Sequence, residues 1–341
     1  YHVDGFRFDL MGLIDTETIE QAYAAACTAS GRDDLLFVGE GWKMYNGPEG
    51  TRGMDQDYIS ETRDISVFSD ELRDLLRAGG LEEEKRGFLT RLAVDREHLM
   101  WNLLGRPMQN YHALSPLSSL AYVEAHDGLT MHDAVAHNCD LDPGKPAERT
   151  EILQRCRLAI FLLLTGQSIP FLHAGQERAR TKPNIASETR EAIGSFVRNS
   201  YSSSDDINRF AWDVDEDARA LEEFTRKMTG LRATHPVFRM GDAKRIRASA
   251  RHLTADHSEH FLFAYELVEG PHATAVSNAS APDVAWIVIA NAGTTSASLP
   301  LPADYPPMEE VLGQPGTRFV RSNGRNRIVC DALSLGLYRS V

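Results

Sequence analysis

The sequence has few cysteines, no long apolar run, no surplus of positive charge and none of the common nucleotide, esterase or zinc motifs. Its four cysteines, Cys27, Cys139, Cys156 and Cys330, are scattered and form no Cys-x-x-Cys pair. That spacing argues against a zinc cluster, a redox couple or a disulfide framework. The longest apolar stretch, Leu158 to Leu164, is far short of the ~20 residues that cross a bilayer as a helix. No membrane insertion is expected. The 36 basic and 49 acidic residues give a net charge of −13. Such a balance repels nucleic acid and anionic membranes but is compatible with a neutral polymer. There is no Gly-x-x-x-x-Gly-Lys loop, no Gly-x-Ser-x-Gly elbow and no His-Glu-x-x-His helix, so phosphate-loop, serine-hydrolase and zincin chemistry have no foothold.

What the chain does have is acids at the ends of strand-like runs. Val3-Asp-Gly-Phe-Arg-Phe-Asp9, Leu35-Leu-Phe-Val-Gly-Glu40 and Ala121-Tyr-Val-Glu-Ala-His-Asp127 each finish on one. In a parallel α/β barrel, chemistry sits where strands end at the carboxyl face. Converging carboxylates there are what glycosidic bond cleavage requires. Side chains alternate along a strand, so Arg7 and Asp9 share a face while Phe6 and Phe8 point to the other, toward a covering helix. An arginine beside Asp9 favours its ionised, nucleophilic form. Glu40 ends an apolar strand and precedes Gly41 and Trp42. An acid against an aromatic in a dry site tends to a raised pKa and can donate a proton. His126 beside Asp127 suits hydrogen bonds to hydroxyls.

Asp4-Gly-Phe-Arg-Phe-Asp-Leu-Met-Gly12, Gly39-Glu-Gly-Trp42 and Tyr122-Val-Glu-Ala-His-Asp127 resemble three signature regions of the α-amylase superfamily, in the variants of type I pullulanases, which debranch starch. Ile169-Pro-Phe-Leu-His-Ala-Gly-Gln-Glu177 is similar to the family's last barrel strand. The run Asn199 to Asn208 resembles the pullulanase loop after it, and Leu231 to Arg239 the closing helix and exit. Carried over residue by residue, the resemblance implies Asp9 as nucleophile, Glu40 as general acid/base and Asp127 as transition-state stabiliser. Arg7 and His126 become their partners, and Asp206 and Asn208 fall where substrate-proximal groups are expected. Trp42 is a stacking surface for a glucose ring or an ordinary packed aromatic. The implied mechanism is retaining, with the Asp9 and Glu40 carboxyls roughly 5–5.5 Å apart.

The sequence departs from the family pattern twice. Gly128 follows the His-Asp pair where the family usually has asparagine. The family's Asp-x-x-x-Asn-His region is absent. The chain therefore reads as a carboxy-terminal fragment, beginning at the fourth barrel strand. A missing amino-terminal barrel segment or partner chain is an expected partner, beside the α-glucan substrate. No cofactor is expected. Some superfamily members bind calcium, but no Asp-x-Asp-x-Asp-Gly loop specifies a site here. The pair His132 and His137 with Asp133 matches no common zinc spacing. The resemblance points to a secreted or surface-displayed bacterial protein, and intracellular members also exist.

The expected fold is α/β, a partial (β/α)8 barrel comprising strands 4 to 8 over residues 1–240, then an antiparallel β-sandwich over 241–341. Strands are expected at Val3–Asp9, Leu35–Gly39, Leu120–Ala125 and Ser168–His173, with the sixth barrel strand unplaced. Helices are expected at Asp15–Ser30, Ile65–Arg77, Arg149–Thr165 and Asp215–Ala233. Beyond Met240, five short apolar runs separated by turn residues form the sandwich signature.

Overall fold

The computed structural model describes residues 3–80, 82–107, 111–185, 191–253, 258–270, 284–312, 316–322 and 324–341. His2 and parts of two expected turns, Pro271 and Asn323, lie outside them. In chain order, β1 (Gly5–Phe8), α1 (Thr16–Ser30), β2 (Leu36–Gly39), β3 (Ile65–Phe68), α2 (Asp70–Leu76), α3 (Arg96–Leu103), β4 (Ser119–Ala121), α4 (Met131–Asn138), α5 (Pro146–Thr165) and β5 (Ile169–Pro170) build the first layer pair. The five strands are parallel and stand in sequence order.

Local chemistry sets the helix ends. Asp15, Ser69, Asp95 and Thr130 each accept a backbone N–H in the first turn of the helix that follows. Gly31 closes α1 in the left-handed conformation at φ 69°. The carboxy-terminal half of α5 is apolar nearly all round because it is sandwiched. From Leu158 to Leu164 every residue is buried.

Three expectations change. Ile65–Phe68 is a strand where a helix from Ile65 to Arg77 is expected, and only Asp70–Leu76 is helical. All four strand residues are buried. A strand covered on both faces reads as a continuous apolar run, indistinguishable from a helix by periodicity. The strands at 120–125 and 168–173 shrink to Ser119–Ala121 and Ile169–Pro170. Strand β5 is a sheet edge, where the missing N–H of Pro170 is tolerated. Phe6 is 49% exposed instead of covered, because β1 is the other edge of the sheet. Phe8 is partly buried and packs on the cluster around Phe37.

A short hairpin, β6 (Ala192–Ile193) with β7 (Phe196–Val197), follows β5. Then come α6 (Asp205–Asn208), α7 (Glu216–Thr234) and α8 (Ala243–Ser249). From residue 250 the architecture is antiparallel. Strands β8 (Ala250–His252), β9 (Leu262–Glu269), β10 (Val284–Asn291), β11 (Ala297–Leu301), β12 (Met308–Glu310), β13 (Thr317–Ser322), β14 (Arg325–Cys330) and β15 (Ser334–Ser340) form a five-stranded and a three-stranded sheet. Alternation along β9 and β10 joins the two halves. Leu262, Ala264, Ile287 and Ile289 face the three-stranded sheet, while Phe263, Tyr265, Trp286 and Val288 join the core under α5 and α7. The β layer thus buttresses the helices behind the parallel sheet.

Candidate active site

The three acids converge beyond the carboxyl ends of β1, β2 and β4. Arg7 is the hub of two of them. Its guanidinium donates from Nη1 to Asp9 Oδ1 and from Nη2 to Glu40 Oε1 at 2.7 Å. Glu40 Oε2 accepts the backbone N–H of Leu10 at 2.8 Å. Leu10 is in the left-handed region at φ 45°, which turns this N–H toward Glu40. One oxygen of each of Asp9 and Glu40 and a ring nitrogen of His126 all lie within 4.8 Å of one another. His126 Nε2 is 3.8 Å from Asp9 Oδ1 and 3.6 Å from Asp127 Oδ2. The grouping has ligand types a metal accepts, but the Arg7 cation already offsets the repulsion between its two carboxylates.

The two first acids differ in setting. Glu40 is 5% exposed, whereas the Asp9 side chain is 65% exposed and open to an incoming ligand. A cavity of about 750 Å³ opens beside Glu40 and Asp127, walled by Trp42, Phe68, Asp70 and Tyr122. Trp42 therefore lies on the cavity wall. The Tyr122 hydroxyl accepts from Arg73 at 2.7 Å. Burial pushes this phenol up to about 12.

Asn208 and Asp206, expected near the substrate, are not among the residues lining this cavity. Asn208 spends its amide inside its own loop, donating to the carbonyls of Ser200 and Ser203 and accepting from the Ser200 hydroxyl. Asp206 is exposed on α6. Neither lines the cavity; from the same loop region Arg198 and Asn199 do. The reason is local: a one-turn helix holds Asp206 and Asn208 away while the segment after β7 runs past Gly128. Glu124 is a buried structural partner, accepting from the Met131 N–H and pairing with His173. His132 pairs with Asp133.

Asp70 is the acid that sequence reading missed. It sits two residues beyond β3, close to the carboxyl end of that strand, and was hidden by the helical reading of that run. Its Oδ1 accepts from the Gln56 amide and the Glu71 N–H, both at 2.9 Å. Burial raises its carboxyl above the ordinary range.

No protein-family model matches the chain. Among curated proteins, Pullulanase A of Streptococcus pneumoniae serotype 2 (strain D39 / NCTC 7466) is 35% identical over 277 residues, covering 72% of this chain and 22% of that protein. The catalytic module of the multi-modular glycogen-degrading pneumococcal virulence factor SpuA, solved with an inhibitor, superposes with a TM-score of 0.85 at 28% identity, covering 100% of this chain and 52% of that one. Over the stretch they share, the chain is similar to the pullulanases. A pullulanase from Paenibacillus barengoltzii, solved in complex with maltohexaose and α-cyclodextrin, agrees with a TM-score of 0.80 at 30% identity over 100% of this chain and 48% of that one. The chain spans about a fifth of the length of Pullulanase A.

The structure accounts for the departure of this sequence from the family pattern at Gly128. Gly128 has φ 76°, and a Cβ there would lie 2.4 Å from Glu83 Oε1. Glu83 is buried in an ion pair with Arg77 and has little room to yield. The Gly128 N–H donates instead to Asn199 Oδ1 at 2.9 Å. An amide side chain thus reaches this corner of the cavity from another loop.

Proposed function

We propose that this chain carries the catalytic acids of a retaining glycoside hydrolase that cleaves α-1,6 branch bonds in pullulan, starch or glycogen-type α-glucans. The observation that supports it most is the Arg7-bridged pair of Asp9 and Glu40, with carboxylate oxygens within 4.8 Å. Inverting enzymes need roughly 6.5–9.5 Å between carboxyls to seat a water. Glu40, sheltered beside Trp42, protonates the leaving glucosyl oxygen while the open Asp9 attacks the anomeric carbon. Water deprotonated by Glu40 then releases Asp9. Asp127 and His126 hold sugar hydroxyls more tightly as the ring distorts toward the oxocarbenium-like state. These steps use no cofactor. The glycogen-degrading activity and maltohexaose binding named for the structural relatives support an α-glucan substrate.

On this reading β1 to β5 are barrel strands four to eight, and an upstream segment or partner chain completes the barrel. The half-exposed Phe6 on edge strand β1, with Val3 and Leu36 exposed nearby, supports such a partner.

The test is product analysis on pullulan, with this chain joined to its upstream sequence. Maltotriose is the expected product. Panose would move the specificity to α-1,4 bonds with the same acids. Glucan binding without turnover in a folded protein would leave a non-catalytic binding role. Asp9→Asn and Glu40→Gln are each expected to abolish turnover without unfolding the protein; near-wild-type rates in either would overturn the assignment.

A further inference from the structure

We propose that Lys182 is a positioning residue for Asp127, its ammonium gripping the backbone on both sides of that acid. The inference rests on the proposed role of Asp127 in the reaction. Lys182 is 1% exposed. Its Nζ donates to the carbonyls of His126 at 3.3 Å, Gly128 at 2.8 Å and Arg198 at 2.8 Å. An ammonium has three N–H donors and no acceptor, so this cradle uses all of them. Two of the three carbonyls flank Asp127 in the chain.

Asp127 needs such a grip. Its carboxylate makes no hydrogen bond among the described residues beyond the 3.6 Å approach of His126. Its aim is therefore set by the peptides around it. One is fixed by the Gly128 N–H on Asn199, and the others by Lys182. Lys182 is itself anchored. Its backbone N–H donates to Asp133 Oδ2 at 2.7 Å, the neighbouring Thr181 hydroxyl donates to Asp133 Oδ1, and its carbonyl accepts the Val197 N–H at 2.9 Å. One side chain thus locks together the β4–α4 loop, the segment after β5 and the loop after β7. Placement matters here, because a displacement of about 1 Å can cost roughly a hundred-fold in rate.

The grip is protonation-dependent. Burial lowers the Lys182 pKa to about 8, opposed by the charges of Asp133, Glu124 and Glu83 and reinforced by Arg180. His132, on α4, faces Asp133 rather than Nζ. Below pH 8 all three donors are present. Above it the neutral amine turns a lone pair toward a carbonyl, and the loop slackens. Stability moves the other way. Between about pH 8 and 10.5 the unfolded chain keeps a proton that the folded chain has released, so this group makes folding more favourable as pH rises. A fall in kcat coinciding with general unfolding is therefore not the expected signature.

The experiment compares kcat, KM and melting temperature from pH 6 to 10 for the full-length protein and its Lys182→Met and Asp127→Asn variants. The wild type is expected to lose kcat with a midpoint near pH 8 while remaining folded. Lys182→Met is expected to lose about a hundred-fold in kcat at neutral pH with KM little changed, and to lack that alkaline limb. Wild-type kcat in Lys182→Met, or a reduced kcat with the limb intact, overturns the proposal. If Lys182→Met does not fold, the wild-type profile decides: a kcat flat to pH 10 overturns it, and a loss near pH 8 in folded protein supports it. An active Asp127→Asn would instead sink the role of Asp127, leaving the two failures distinguishable.

Discussion

Replacing Gly128 with asparagine, the residue the superfamily usually carries there, is expected to destabilise this protein. The left-handed backbone is the minor part of the cost, since asparagine tolerates φ near 76° better than most residues. The larger part is steric. The new Cβ would lie 2.4 Å from Glu83 Oε1. Glu83 cannot swing away cheaply. Its Oε2 accepts from Arg77 Nη1 at 3.1 Å and its Oε1 accepts the Leu129 N–H at 3.2 Å, with both side chains of the ion pair at most 2% exposed. Arg77 is in turn fixed by its Nε on the Val123 carbonyl. Breaking such a buried pair costs about 3–5 kcal/mol. At a few degrees per kcal/mol, melting should fall by on the order of 10 °C. Thermal and urea unfolding of Gly128→Asn, read beside kcat, tests this. A melting temperature within about a degree of wild type would refute the argument, because Glu83 would then have somewhere to go.

Arg7→Met removes the cation shared by Asp9 and Glu40; kcat should drop by about a hundred-fold or more, and melting should fall as well, because the buried Glu40 is left without its cation. Unchanged kcat would show that the carboxylates hold their places without it. Asp70→Asn is expected to weaken substrate binding, seen as a raised KM, and to stabilise the fold at neutral pH. The sign follows from the raised folded-state pKa: wild type loses stability as pH rises from below 3.8 through that value, and asparagine has no such loss. Denaturant unfolding at several pH values should show the gain vanish below pH 3.8; a gain independent of pH would mean that packing, not charge, is responsible.

Much was legible in the sequence because the signals were local. Asp15 and Gly31 mark both ends of α1, since capping is chemistry between near neighbours. The apolar runs after residue 260 became β9, β10, β11, β14 and β15, because alternation reports directly which face is buried. The common face of Arg7 and Asp9 followed from strand geometry alone, and the two are hydrogen-bonded. The strand at Ile65–Phe68 was not legible, because burial on both faces erases the period-two pattern, and with it went Asp70.

The sequence by itself determined that Asp9 and Glu40 follow directly on strands and which arginine accompanies the first of them, since residue order and side-chain alternation suffice for that. Only the tertiary structure decided that Arg7 also reaches Glu40, 33 residues away, that Asn199 and not Asn208 faces the cavity, and that Lys182 lies beneath Asp127. These are contacts between loops distant in the chain. No local pattern encodes them, because their geometry is fixed by how the sheet and its buttressing helices pack, and by which buried donors and acceptors must find partners there.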